Sequence, residues 1–242
     1  MLPKIDVPIY EITLPLLQKK IKIRPFLVKE EKILLMAMEA NDDNATLLAI
    51  KQIVNNCCIE KIDVDSLPIL DLEYIFLQLR ARSIGEIIEL QYRCNNDVTN
   101  EEETKKCNSI VKLEFNALEI EPTVDENHNK KIQLTPNLGV VMKYPDFKIM
   151  TKMEGLSETE MLSKMITGCI DYVYDNEQIY YAKDTKEEEL IDFIDSLTRE
   201  QFAKVQDFFD TIPKIKKTLN FKCGKCGYQE DVVLEGIQGF FG

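Results

Sequence analysis

Residues 219–236, LNFKCGKCGYQEDVVLEG, constrain this chain more than any other stretch. Two cysteines stand two residues apart, each followed by glycine, between two runs that alternate apolar and polar side chains. A turn of this kind aims both sulfurs at one point and turns backbone N–H groups toward them, which makes half of a tetrahedral metal site. The other half must come from elsewhere in the chain. Cys94 and Cys107 are the matching pair, because they lie at the inner ends of the strand-like runs EIIELQYRC and CNSIVKLEFNALEI and flank the polar insert NNDVTNEEETKK. Two hairpins that each supply two cysteines form a zinc-ribbon arrangement, so Cys94, Cys107, Cys223 and Cys226 are the expected ligands of one structural zinc. The first pair departs from the usual knuckle spacing, with twelve residues between its cysteines. A solvated insert can bulge outward without moving its ends, since the cost of closing a loop grows only logarithmically with length.

Other readings of the cysteines carry less. A redox CxxC normally opens a helix, whose dipole lowers the thiol pKa, whereas CGKCG sits between strands. Four unliganded thiols are the remaining alternative, and a four-thiolate donor set does not separate zinc from iron. The chain has seven cysteines, an odd number in a sequence with 45% hydrophobic residues, which argues against a disulfide framework. Cys57, Cys58 and Cys169 fall in helical stretches and are expected as buried free thiols. The single histidine, His128, lies in the polar stretch DENHNKK and is expected to be an exposed loop residue.

These features also limit function. With one histidine, and without a P-loop, a G-x-S-x-G elbow, H-E-x-x-H or a dinucleotide fingerprint, no catalytic centre is expected. The net charge of −12 disfavours a broad phosphate-binding face, so nucleic acid is an unfavoured partner. No apolar run approaches the roughly 20 residues that span a bilayer. Asp6, Glu11 and three prolines interrupt the N-terminal region where a signal peptide would be continuously apolar, so a cytosolic protein is expected.

The periodicity predicts an α+β chain in which helices are interleaved with β-hairpins. YEITL and KIKIRPF read as a hairpin, and Phe26, Leu27 and Val28 are expected to staple it to a first helix ending at Asn41, with Arg24 free to meet a partner. Asp43 or Asn44 can cap a second helix whose apolar stripe runs through Leu47, Leu48, Ile50, Ile53, Val54 and Cys57. Leu72, Ile75, Phe76 and Leu79 mark a third, ended by Gly85. A hairpin turning at Pro136, Asn137 and Gly139 follows the first cysteine pair. Capping boxes at Ser157/Glu160, Thr185/Glu188 and Thr198/Gln201 announce three further helices, the first read as running through EMLSKMITGCIDYVYD. Four segments result: 1–85 with the N-terminal hairpin and helices, 86–154 with the first cysteine hairpin, 155–213 helical, and 214–242 with the CxxC hairpin and tail. The terminal GIQGFFG carries Ile237, Phe240 and Phe241, which can dock on a partner or fold back on the chain's own core.

Three stretches taken in order, KIKIRPFLVKEEKILLMAME, LPILDLEYIFLQLRARSIGE and LTREQFAKVQDFFDTIPKIKKTLNFKCGKCGYQEDVVLEGIQGFFG, resemble the baseplate hub protein family of T-even-type contractile-tailed bacteriophages. The resemblance spans most of the chain and is weakest over residues 95–144. It implies a non-enzymatic protein of the tail baseplate, made and assembled in the bacterial cytoplasm, with other hub and tail proteins as partners. The competing class is a zinc-ribbon adaptor that binds another protein or a nucleic acid. Lys222, Lys225 and Tyr228 fit a nucleic-acid ribbon, while Glu230, Asp231 and the acidic insert do not.

Overall fold

The computed structural model describes residues 6–39, 43–99, 103–153 and 155–236. Strands β1 (Tyr10–Thr13) and β2 (Lys20–Ile23) pair antiparallel with Ile12 opposite Ile21. Their period-two pattern turns Ile12, Ile21 and Ile23 inward and leaves Lys20 and Lys22 in water. Helices α1 (Val28–Glu39), α2 (Asp43–Cys57) and α3 (Ile69–Ser83) cover this inner face. Ile50, Ile53, Val54 and Cys57 of α2 meet Leu72, Ile75, Phe76 and Leu79 of α3, the two stripes expected from the 3.6-residue period. Leu48, counted in the α2 stripe, is exposed. The expected helix end at Asn41 and the side chain of Asp43 lie outside the described residues.

Two buried carboxylates pin this unit. Asp71 of α3 accepts hydrogen bonds from the N–H groups of Leu16 at 2.8 Å and Leu17 at 3.0 Å, holding the β1–β2 connection against the helix. Glu30 of α1 accepts from Arg24 Nη2 at 3.0 Å and from the Leu27 N–H at 2.9 Å. The same Arg24 nitrogen donates to the Asn56 carbonyl at 2.9 Å, so one guanidinium ties β2, α1 and the end of α2 together. Arg24 is therefore an internal strut and not the partner-facing residue expected. Of the expected staple only Phe26 is buried, while Leu27 and Val28 face solvent.

Strands β3 (Ile87–Arg93), β4 (Asp97–Thr99), β5 (Thr104–Lys106) and β6 (Ile110–Asn116) form a hairpin within a hairpin. β3 pairs with β6 from Ile87 opposite Asn116 to Arg93 opposite Ile110, and β4 pairs with β5. The insert expected as an open loop is thus a short hairpin of its own. After β7 (Pro122–Thr123) come β8 (Lys131–Thr135), β9 (Leu138–Met142), α4 (Phe147–Thr151), α5 (Glu158–Gly168), β10 (Ile170–Tyr174) and β11 (Ile179–Tyr181). The sheet order is β11-β10-β9-β8. The stretch expected as one helix through Tyr174 breaks at Gly168. The following Ile170-Asp171-Tyr172-Val173-Tyr174 alternates β-branched and aromatic residues and pairs with β9. Gly139 lies within β9, not in the turn, and a Cβ there would sit 2.2 Å from the Tyr174 hydroxyl oxygen. The ring of Tyr174 needs that bare backbone.

Helices α6 (Glu187–Asp195) and α7 (Arg199–Asp210) pack on this sheet through Leu190, Ile194, Val205 and Phe208. Capping boxes form at Ser157/Glu160 and Thr198/Gln201. The third does not. Thr185 donates its hydroxyl to the Tyr181 carbonyl at 2.9 Å, and Lys186 stands at the N-cap of α6 without a side-chain cap. Strands β12 (Lys214–Lys222) and β13 (Gln229–Glu235) close the described chain, with β12 also pairing to β7. No helix among the described residues is long and apolar enough to cross a membrane.

The Arg24–Glu30 pair gives a prediction with a definite sign. Burial pushes the Glu30 carboxyl pKa up, but the Arg24 guanidinium and the Leu27 N–H outweigh it, and the net shift is downward. Its contribution is present above the ordinary carboxylate pKa and is lost as pH falls through the folded-state value. Arg24→Met leaves the buried Glu30 carboxylate with only Lys29, 3.3 Å away, and the Leu27 N–H, and is expected to cost about 2 kcal/mol near neutral pH. With fewer groups opposing burial, the variant gains less from an ionised Glu30 than the wild type does, so the cost should shrink at about pH 4. Urea denaturation at both pH values checks this, and a cost that grows on acidification contradicts it.

Candidate metal centre

Each cysteine pair sits where a two-stranded ladder turns over, and the two turns are built alike. In the C-terminal hairpin the Cys223 N–H donates to the Tyr228 carbonyl at 2.8 Å and the Gly227 N–H donates to the Cys223 carbonyl at 2.9 Å. In the first hairpin the Cys94 N–H donates to the Ser109 carbonyl at 2.8 Å and the Asn108 N–H to the Cys94 carbonyl at 3.0 Å. Gly227 has φ +76° and Asn108 has φ +53°, so the residue after the second cysteine is left-handed in both turns. Glycine adopts that conformation freely, and asparagine is among the few other residues that tolerate it.

The β4–β5 hairpin is spliced into the first turn at one point. The Cys107 N–H donates to the Asn96 carbonyl at 2.8 Å, closing its base. Residues 97–106 therefore leave and rejoin the turn at neighbouring positions, and only Asn95 and Asn96 separate the cysteines along the short path. The odd spacing in sequence hides an ordinary CxxC turn, and the Asn after Cys107, standing where glycine follows Cys226, is the signal that could have shown it.

The four sulfurs converge. Cys94 Sγ lies 3.6 Å from Cys226 Sγ, Cys107 Sγ lies 3.7 Å from Cys223 Sγ, and all four lie within 4.8 Å of one another. A tetrahedral ion with metal–sulfur bonds of about 2.3 Å places its ligands about 3.8 Å apart, so the observed spacing fits such an ion. The distances are far beyond a disulfide bond of about 2.05 Å. Cys94, Cys107 and Cys223 are buried and Cys226 is half-buried, within a small core that includes Phe221. The Tyr92 ring packs on Phe221 with centroids 4.9 Å apart, shielding the centre on one side.

The electrostatics suit a cation. The N–H of Cys226, followed by that of Lys225, stabilises the Cys223 thiolate and brings its pKa down to about 6. Burial pushes Cys94 up to about 12 against the N–H of Asn96. At Cys107 the Ser109 N–H favours the thiolate, but burial and the neighbouring thiols prevail and the net shift is upward. One sulfur is thus prepared as an anion while Cys94 and Cys107 resist ionising without a positive charge beside them, which is what a divalent ion supplies. Asn96 Nδ2 approaches Cys226 Sγ at 3.8 Å, linking the first turn to the sulfur of the second. Four sulfurs close the coordination sphere, so such a site holds structure together and leaves no position for a substrate.

The structure thus brings together all four cysteines singled out in the sequence, the one group of three or more such donors within reach of a common ion among the described residues. Cys57 and Cys169 are buried and Cys58 is half-buried, all free, with burial pushing their thiols up to about 11, 12 and 12 respectively. His128 is not the exposed loop residue expected. Its Nδ1 lies 2.9 Å from Thr211 Oγ1, and its ring stacks on Tyr144 at 5.6 Å, remote from the sulfurs in the second core. Removing residues 97–106 should leave a chain that folds with near wild-type melting and still gives the sulfur-to-metal absorption of a four-thiolate cobalt(II) complex. Loss of that absorption in a folded deletion variant would contradict the splice-point reading.

A family model described as T4 bacteriophage base plate protein matches residues 7–242. No curated protein and no solved structure matches the chain. The match covers both cysteine hairpins and all the helices that hold them apart in sequence, and by it the chain belongs to the T4 bacteriophage baseplate protein family.

Proposed function

We propose that this protein is a structural and assembly component of the baseplate hub, working through contacts with other hub and tail proteins and not through catalysis. The observation that carries this reading is the family match over residues 7–242, joined to a closed four-sulfur site that offers no open coordination position. The ion is one zinc per chain, held by Cys94, Cys107, Cys223 and Cys226. It acts as a staple between cysteine pairs 116 residues apart at their nearest members, and the assembled protein resides in the virion tail baseplate after synthesis in the bacterial cytoplasm. The net charge of −12 favours protein partners over nucleic acid.

A link between Cys107 and Cys223 closes a loop of 116 residues, which removes unfolded-chain entropy worth about 4–5 kcal/mol. The Cys223→Ser, Cys226→Ser variant is therefore expected to lose its zinc, by elemental analysis, and to melt roughly 10 °C or more below the wild type. Unchanged melting with zinc absent from both proteins would remove the staple. Hub assembly is tested separately, by complementing a phage that lacks this chain with a form truncated after residue 236. The tail residues Ile237, Phe240 and Phe241 lie outside the described residues, and their loss is expected to block incorporation into baseplates while the chain still folds. Normal infectious yield from the truncated form would contradict a docking role for the tail.

A further inference from the structure

Although acidic side chains outnumber basic ones 42 to 30, five lysines surround a single concavity of 330 Å³ beside α4, α5 and β10. They are Lys143, Lys148, Lys152, Lys164 and Lys183. Three carboxylates share its wall, and two of them are already engaged. Asp146 caps α4 by accepting from the Ile149 N–H at 2.8 Å, and Glu187 pairs with Lys164 at 3.2 Å. Asp171 is the third. Among the described residues Lys143, Lys148, Lys152 and Lys183 enter no ion pair, and Lys183 only leans over the Tyr181 ring at 5.2 Å. Ile149 is the partly exposed aliphatic side chain among these cations, while Ile170 and Leu190 are buried.

This combination selects among anions. Phosphate is held best by convergent, forked donors, and no arginine lines the concavity. Separated ammonium groups on flexible stems beside one partly exposed isoleucine instead match a peptide that carries several carboxylates and one apolar side chain. The net charge of −12 opposes an acidic partner at long range, so a local cluster of unpaired lysines sets where such a segment can approach. We propose that the concavity docks an acidic segment of a neighbouring baseplate protein, carboxylates on the lysine rim and an apolar side chain against Ile149. The neighbour's identity rests on the baseplate reading, whereas the chemistry of the site does not.

The full chain is titrated with three probes: a fluorescein-labelled peptide of alternating Glu and Leu, its Lys-Leu counterpart, and inorganic tripolyphosphate. The Lys148→Glu, Lys152→Glu, Lys183→Glu variant runs alongside, all three positions being exposed. Saturable binding of the acidic peptide is expected, weakened about tenfold or more in the variant and by added salt, with none for the basic peptide. Should the triple variant melt early, Lys152→Gln alone is expected to weaken binding about threefold. Equal binding by the variants, or tripolyphosphate binding more tightly than the peptide, overturns the proposal. In assembled baseplates, carbodiimide should join Lys148, Lys152 or Lys183 to an Asp or Glu of a different protein. Cross-links confined to this chain or its own copies overturn the proposal and leave the baseplate role standing. Peptide binding by a chain that never enters baseplates defeats the role and leaves the site.

Discussion

Four sulfurs drawn to one point bring together two hairpins whose nearest cysteines, Cys107 and Cys223, are 116 residues apart in the chain. Neither hairpin can bury its turn alone. Each ends in polar and sulfur groups, and only across from one another do Cys94 and Cys107 meet Cys223 and Cys226 over the Tyr92 and Phe221 rings. Burial opposes ionisation at Cys94 while the turn N–H groups favour it at Cys223. A bound divalent ion resolves both tendencies, which is why this arrangement is read as a metal staple and not as a cluster of spare cysteines.

The rest of the structure delivers the two hairpins to that meeting point. The core of Leu70, Leu77, Ile88, Phe115, Ile215 and Leu234 joins α3 to both cysteine hairpins. Further away the chain is fixed by buried polar contacts as well as by apolar packing, with Asp71 and the Arg24–Glu30 pair locking the first hairpin to its helices. Such groups are costly to bury and specify one arrangement when every partner is present. A protein that works by presenting surfaces in a large assembly benefits from that rigidity, because each docking face then keeps its geometry.

The sequence revealed the elements with strong periods. The α2 and α3 stripes, the β12–β13 ladder and two of three capping boxes follow from residue spacing alone. The cysteine quartet was legible as well, because a CxxC between strands demands two more ligands and only one other pair flanks a hairpin. What stayed hidden depended on tertiary contact. Gly168 ends α5 where the stretch EMLSKMITGCIDYVYD still looks helical, and only pairing with β9 recruits Ile170–Tyr174 into a sheet. Thr185 has the spacing of a cap but spends its hydroxyl on the preceding turn. Arg24 looks like a surface cation until Glu30 and the end of α2 close around it. The short path from Asn96 to Cys107 exists only in the folded chain, so the spacing of the first pair concealed an ordinary knuckle.

X-ray absorption at the zinc edge, on protein purified without chelator, addresses the staple most directly. The account predicts a first shell of four sulfurs at about 2.3 Å. A shell containing nitrogen or oxygen donors, or protein that carries no zinc, would contradict it.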